Sequence, residues 1–75
     1  MRPYPWDTLP KEFRWCAMDE DGAVYAFTKK PEMSDPGSGL GVWLPPGENY
    51  NLRALYGEFD HAQHWRTSLK RRPSG

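Results

Sequence analysis

A small α+β domain is what this sequence predicts: a three-stranded antiparallel sheet, gaining a fourth strand if residues 52–59 extend, covered by a short C-terminal helix. Three observations point there. Two runs of strand-favouring residues, 13–18 and 24–28, are joined by Asp-Glu-Asp-Gly. A third run, Gly-Val-Trp-Leu at 41–44, is closed by Pro45, Pro46 and Gly47. Finally, Asp60 and Gln63 stand at capping-box spacing ahead of Ala62, Trp65 and Leu69, which share one helical face. An all-β arrangement is the alternative.

Taken in order, residues 1–11 carry Pro3, Pro5 and Pro10, which fix φ and remove backbone donors, so this segment reads as an extended arm pinned by Trp6 and Leu9. The body follows at 12–72, opening with a hairpin. A three-residue loop, Glu20-Asp21-Gly22, puts Gly22 at the left-handed position of a type I turn with a bulge. That register sets Trp15 opposite Phe27 and Ala17 opposite Tyr25. Phe13, Trp15, Tyr25 and Phe27 then share a face, with Arg14, Cys16, Met18, Val24, Ala26 and Thr28 on the reverse. The arm and the C-terminal helix are expected to cover the aromatic face.

Residues 32–41 read as loop, rich in Gly, Ser and Pro. The third strand follows, with Trp43 as its anchor into the aromatic face. Leu52, Leu55, Tyr56 and Phe59 have helical spacing, although Leu52, Ala54 and Tyr56 also fit a strand, and the helical turn is favoured. Lys70 and Arg71 fall at the end of the C-terminal helix, where the dipole favours cations. Residues 73–75 form a frayed tail, and nothing divides the 75 residues into more than one domain.

Ten basic and ten acidic side chains cancel, which removes the electrostatic footprint of a duplex-binding protein. Cys16 is alone, so no internal disulfide forms. Ile is absent, and the four Trp, four Tyr and three Phe must supply the core. No apolar run reaches about 18 residues and no signal-peptide core opens the chain, so a soluble cytoplasmic protein that does not enter membranes is expected.

Candidate chemistry is sparse. The acidic run 19–21 lacks the distant bidentate Glu of a calcium loop; Lys29 and Lys30 fall there instead. His61 and His64, with Cys16 or Asp60, lack the spacing of a zinc site. Cys16 lies mid-strand with no base beside it, and "GSGLG" precedes a strand where a phosphate loop would follow one. The expectation is therefore no enzyme, no metal and no cofactor.

The ordered motifs "WDTLP", "RWCAMDEDGAVYAFTKKP", "VWLP" and "HWRTSLKRRP" resemble a widespread set of very short, mostly uncharacterised accessory proteins encoded by tailed bacteriophages and prophages. The shared pattern is W-x-A-x-D-x-D-G, then aromatics and a Pro, a lone Trp, and a terminal W-R-x-S-L-x-x-R-P. The resemblance covers most of the chain and implies a setting, the cytoplasm of an infected bacterial host, and a mode, binding and modulating a host protein in takeover or anti-defence without chemistry. Residues 45–57 depart most from the pattern. The surfaces expected to meet a partner are Tyr50, Arg53 and Tyr56 in that Tyr-rich segment and Arg66, Lys70, Arg71 and Arg72 in the basic tail. The alternative function is a small single-stranded nucleic-acid-binding module in which sheet aromatics stack bases and Lys29, Lys30, Arg71 and Arg72 hold phosphates. Either suits a monomer or a small homo-oligomer.

Overall fold

The loop length predicted from Gly22 is the one the chain adopts. In a computed structural model, which describes residues 3–34, 41–57, 59 and 64–73, Gly22 has φ 94°. Its N–H donates to the Asp19 carbonyl (2.9 Å), and the Asp19 N–H donates to the Ala23 carbonyl (2.8 Å). This turn joins strands β1 (Trp15–Met18) and β2 (Val24–Phe27) with Trp15 opposite Phe27 and Ala17 opposite Tyr25.

Four further strands are described: β3 (Glu32–Ser34), β4 (Val42–Leu44), β5 (Leu52–Leu55) and β6 (Lys70–Arg71). One antiparallel sheet has the order β5-β2-β1-β6, and β3 pairs with β4 in a second. Among the described residues the remaining regular elements are single 3-10 turns at Trp6–Thr8 and Trp65–Thr67. The all-β alternative therefore fits, and no α-helix among the described residues confirms α+β.

Each departure from expectation has a physical cause. Residues 52–55 are a strand, not a helical turn, because the outer edge of β2 offers pairing from Phe27 to Val24 along the whole of β5; Gly57, at φ 126°, then turns the chain away. The expected C-terminal helix is replaced by the 3-10 turn and β6, while its proposed start at Asp60–Gln63 lies outside the described residues. Here Ser68 competes with the helix. Its fully buried hydroxyl accepts from the Met18 N–H (2.8 Å) and lies within donating reach of the Met18 and Trp65 carbonyls (3.1 and 2.8 Å). Lys70 and Arg71 then pair with Cys16 and Trp15. With both edges of the β1–β2 hairpin taken by β5 and β6, the 41–44 run pairs instead with Glu32–Ser34, which had read as loop.

The main sheet is buried on both faces. Below it, Cys16, Val24 and Ala26 pack against Tyr4, Leu9 and Phe13 of the arm region and against Phe59. Above it, Ala17 and Phe27 pack against Trp43 and Trp65. The arm thus covers the reverse face rather than the aromatic one. Phe13 follows it there because its N–H closes a turn onto the Pro10 carbonyl (3.0 Å), so strand alternation does not extend upstream of Trp15. Trp43 is the anchor expected, its indole N–H donating to the Trp65 carbonyl at 2.8 Å.

Candidate functional site

The acidic run is occupied with holding the second sheet. Asp19 Oδ1 accepts from the Trp43 N–H (2.8 Å) and Glu20 Oε1 from the Gly41 N–H (2.9 Å), while the Glu20 N–H donates to the Gly41 carbonyl (2.9 Å). N–H groups two residues apart lie on one strand edge, so two carboxylates act here as a short strand made of side chains. Asp21 Oδ1 accepts from the Ala23 N–H (3.0 Å) and braces the turn.

Burial, and then the nearby Asp21 charge, push the Asp19 carboxyl above its ordinary range, against the pull of the Trp43 N–H. The folded state thus holds this proton more tightly than the unfolded chain. The Asp19 contribution to stability is present at low pH and is lost as pH rises through its folded value. Asp19→Asn keeps an oxygen for Trp43 and removes the buried charge, so it is expected to be at least as stable as the parent at neutral pH, with the difference shrinking on acidification. Asp19→Ala orphans a buried N–H and is expected to lose about 1–3 kcal/mol. Urea titrations at neutral and acid pH check both, and an Asn variant as weak as the Ala variant would refute the account.

Of the expected basic contacts, Arg72 is drawn inward. One guanidinium nitrogen donates to the carbonyls of Pro10 (2.8 Å) and Phe13 (3.1 Å), and another to those of Trp6 (2.7 Å) and Leu9 (3.2 Å). Its backbone N–H donates to the Arg14 carbonyl at 2.7 Å. Arg72 fastens the arm to the sheet, a structural task that leaves little of its charge for a partner. No sequence signal marks this, because all five acceptors are main-chain carbonyls.

Arg71 and Lys30 come together where the sequence had only suggested proximity. Both cations flank the half-buried Trp15, with the Lys30 ammonium 5.7 Å and the Arg71 guanidinium carbon 5.8 Å from its ring centroid. Among the described residues neither meets a carboxylate. Lys29 and Lys70 are exposed nearby in sequence, and Arg66 lies over Trp65 at 5.0 Å. Arg53 sits on β5, at the opposite edge from Lys70 and Arg71, three strand spacings or about 14 Å away. Tyr56 is 87% exposed and Tyr50 half-buried. The Tyr-rich segment and the basic tail are therefore two surfaces.

A concave apolar surface was not foreseen. Tyr25, Phe27 and Leu52 of the main sheet and Val42, Trp43 and Leu44 of the second enclose a groove of about 200 Å³, with Asp19 as its acidic lining residue. Leu44 and Leu52 remain 43% and 44% exposed at it. Sequence reasoning missed it because it placed Val42–Leu44 within the main sheet.

The remaining chemical groups are muted. Cys16 is fully buried, and burial pushes its thiol up to about 12 despite the nearby Arg72. Burial likewise holds the Tyr4 phenol well above its usual range while its hydroxyl donates to the Ser68 carbonyl at 2.8 Å. His64 Nδ1 accepts from the Arg66 N–H at 3.3 Å; His61 and Asp60 lie outside the described residues. Comparison with family models, curated proteins and solved structures found no match.

Proposed function

We propose that this chain is a non-catalytic accessory protein of a tailed phage or prophage that binds and modulates a protein in the cytoplasm of its bacterial host. The observation that carries the binding reading is the apolar groove between the two sheets, where Leu44 and Leu52 stay about two-fifths exposed. Apolar side chains left exposed together at a groove are a common mark of a protein–protein interaction site. Non-catalysis is supported by the state of Cys16, protonated at neutral pH and sealed in the core. The phage setting rests on the ordered motif pattern.

Capture from host lysate, followed by titration of the captured polypeptide in pure form, tests the reading. Leu44→Lys and Leu52→Lys alter half-exposed positions, so folding is expected to hold while affinity falls roughly tenfold or more, about 1.4 kcal/mol. Unchanged affinity in both folded variants would remove the groove from the account.

The pair of cations on Trp15 favours a second reading, single-stranded nucleic-acid binding. A short oligothymidylate would then quench Trp fluorescence with steep salt dependence, and Lys30→Ala and Arg71→Ala would each flatten the salt slope by about one contact. Absence of quenching at low salt would end it.

A further inference from the structure

The two edges of the main sheet are finished differently. β6 is two residues long, and both are cations, Lys70 and Arg71. Shortness and positive charge are common guards against unwanted strand pairing. β5 is four residues long and contains no Pro. Its one charged side chain, Arg53, is folded back over Phe13, with the guanidinium carbon 5.2 Å from the ring centroid, on the arm-covered face. What remains along this edge is apolar: Leu52 at 44% exposure, Ala54 exposed, Leu55 half-buried, and Tyr56 at 87% exposure just beyond. Among the described residues β2 is the one strand that pairs with β5.

We propose that β5 pairs antiparallel with β5 of a second copy of this chain, about a two-fold axis through Ala54, joining two four-stranded sheets into one of eight strands. A two-fold axis normal to a sheet opposes residues that share a face, so the axis passes through a residue and not between two. Centred on Arg53, the pairing would stack like charges directly opposite each other, which destabilises. Centred on Leu52 or Leu55, it would leave most of β5 opposite residues outside the strand. Centred on Ala54, it sets small against small and places Leu52 opposite Tyr56 of the partner subunit, twice. A depression of about 260 Å³ lies at this end of β5, between Ala54, Leu55 and Tyr56 and the start of β2 at Ala23 and Val24. Chains of this size gain most from such pairing, because they bury a small share of their own surface.

Sedimentation equilibrium of the full chain from micromolar to millimolar concentration, combined with hydrogen exchange, tests the proposal. The expected result is a mass rising from one chain to two, with protection of the residue 52–56 amides rising in parallel. Ala54→Lys, at an exposed position, would weaken the dimer at least roughly tenfold with an unchanged far-UV spectrum, whereas Lys70→Ala on the other edge would leave it intact. A chain that stays monomeric to millimolar concentration would overturn the proposal, whatever other strand the edge serves. So would a dimer in which β5 protection does not change with concentration, a measurement that needs no variant to fold. The outcome is independent of whether the groove binds a host protein.

Discussion

Replacing Arg72 with alanine is expected to remove about 3 kcal/mol of stability, the largest single effect of any exposed or half-buried side chain in this protein. Hydrogen bonds from a charged donor contribute about 1.5–3 kcal/mol each, though not additively, and this guanidinium reaches four carbonyls. Two of these, from Trp6 and Pro10, already accept from the N–H groups of Leu9 and Phe13. They belong to consecutive turns that bend the arm so that its carbonyls converge on one point. Without the guanidinium the arm is held by its own turns and by the Tyr4–Ser68 bond, and Tyr4 and Leu9 approach Cys16, Val24 and Ala26 less firmly. A domain of this size holds roughly 4–11 kcal/mol in all, so the melting temperature should fall by about 12–24 °C. Arg72→Lys keeps the charge without the planar fork and should recover less than half of the loss. Thermal melts and limited proteolysis of the arm check this; an alanine variant within about 0.5 kcal/mol of the parent would show the contacts to be incidental.

Gly41→Ala is the second large effect, expected at about 3 kcal/mol, the upper end for overpacking a tight site. A Cβ built on Gly41 stands 2.5 Å from Trp65 Cζ2 and nearer still to Cη2. The indole cannot easily retreat: Trp65 is buried against Ala17, Phe27 and Trp43, and its carbonyl is held by the Trp43 indole N–H. Gly41 cannot retreat either, since Glu20 bonds both its N–H and its carbonyl. Trp65→Phe removes the distal ring atoms that the new methyl would strike. The double variant should therefore be less destabilised than the sum of the two single ones, by roughly 1 kcal/mol or more in a double-mutant cycle. Strict additivity in urea titrations would place the strain elsewhere.

What could be read from the chain beforehand was what neighbouring residues decide among themselves. Gly22 and the loop length set the register of β1 and β2, because a one-residue slip would have turned Trp15 and Phe27 to opposite faces. Trp43 could be identified as an anchor since so large a ring in so aliphatic-poor a chain has few other places to go. What could not be read depended on remote main-chain groups. Leu52, Leu55, Tyr56 and Phe59 do have helical spacing, yet the open edge of β2 decides the matter, and that edge exists only once the hairpin has formed. Trp65 and Leu69 suggested a helix face until the Ser68 hydroxyl found Met18, fifty residues away. The acidic run 19–21 reads from the sequence as an incomplete calcium loop; the N–H groups of Gly41 and Trp43 that Glu20 and Asp19 bind leave no trace in composition or spacing. Of the four cations that the nucleic-acid alternative names, Lys29, Lys30, Arg71 and Arg72, Lys30 and Arg71 meet at Trp15 while Arg72 turns to the arm; the groove needed the second sheet to be seen at all.

The bonds that fasten the arm span 59 to 66 residues of chain, and the Tyr4–Ser68 bond spans 64. Such remote closures slow folding, because chain entropy is lost before contacts repay it. They also impose an order in time. During synthesis, at about 5–20 residues per second, Tyr4, Trp6 and Leu9 wait for Ser68 and Arg72, so for seconds the nascent chain carries these core side chains without a place to put them. The β1–β2 hairpin can form as soon as it leaves the ribosome, but the arm closes onto it only when Ser68 and Arg72 have followed.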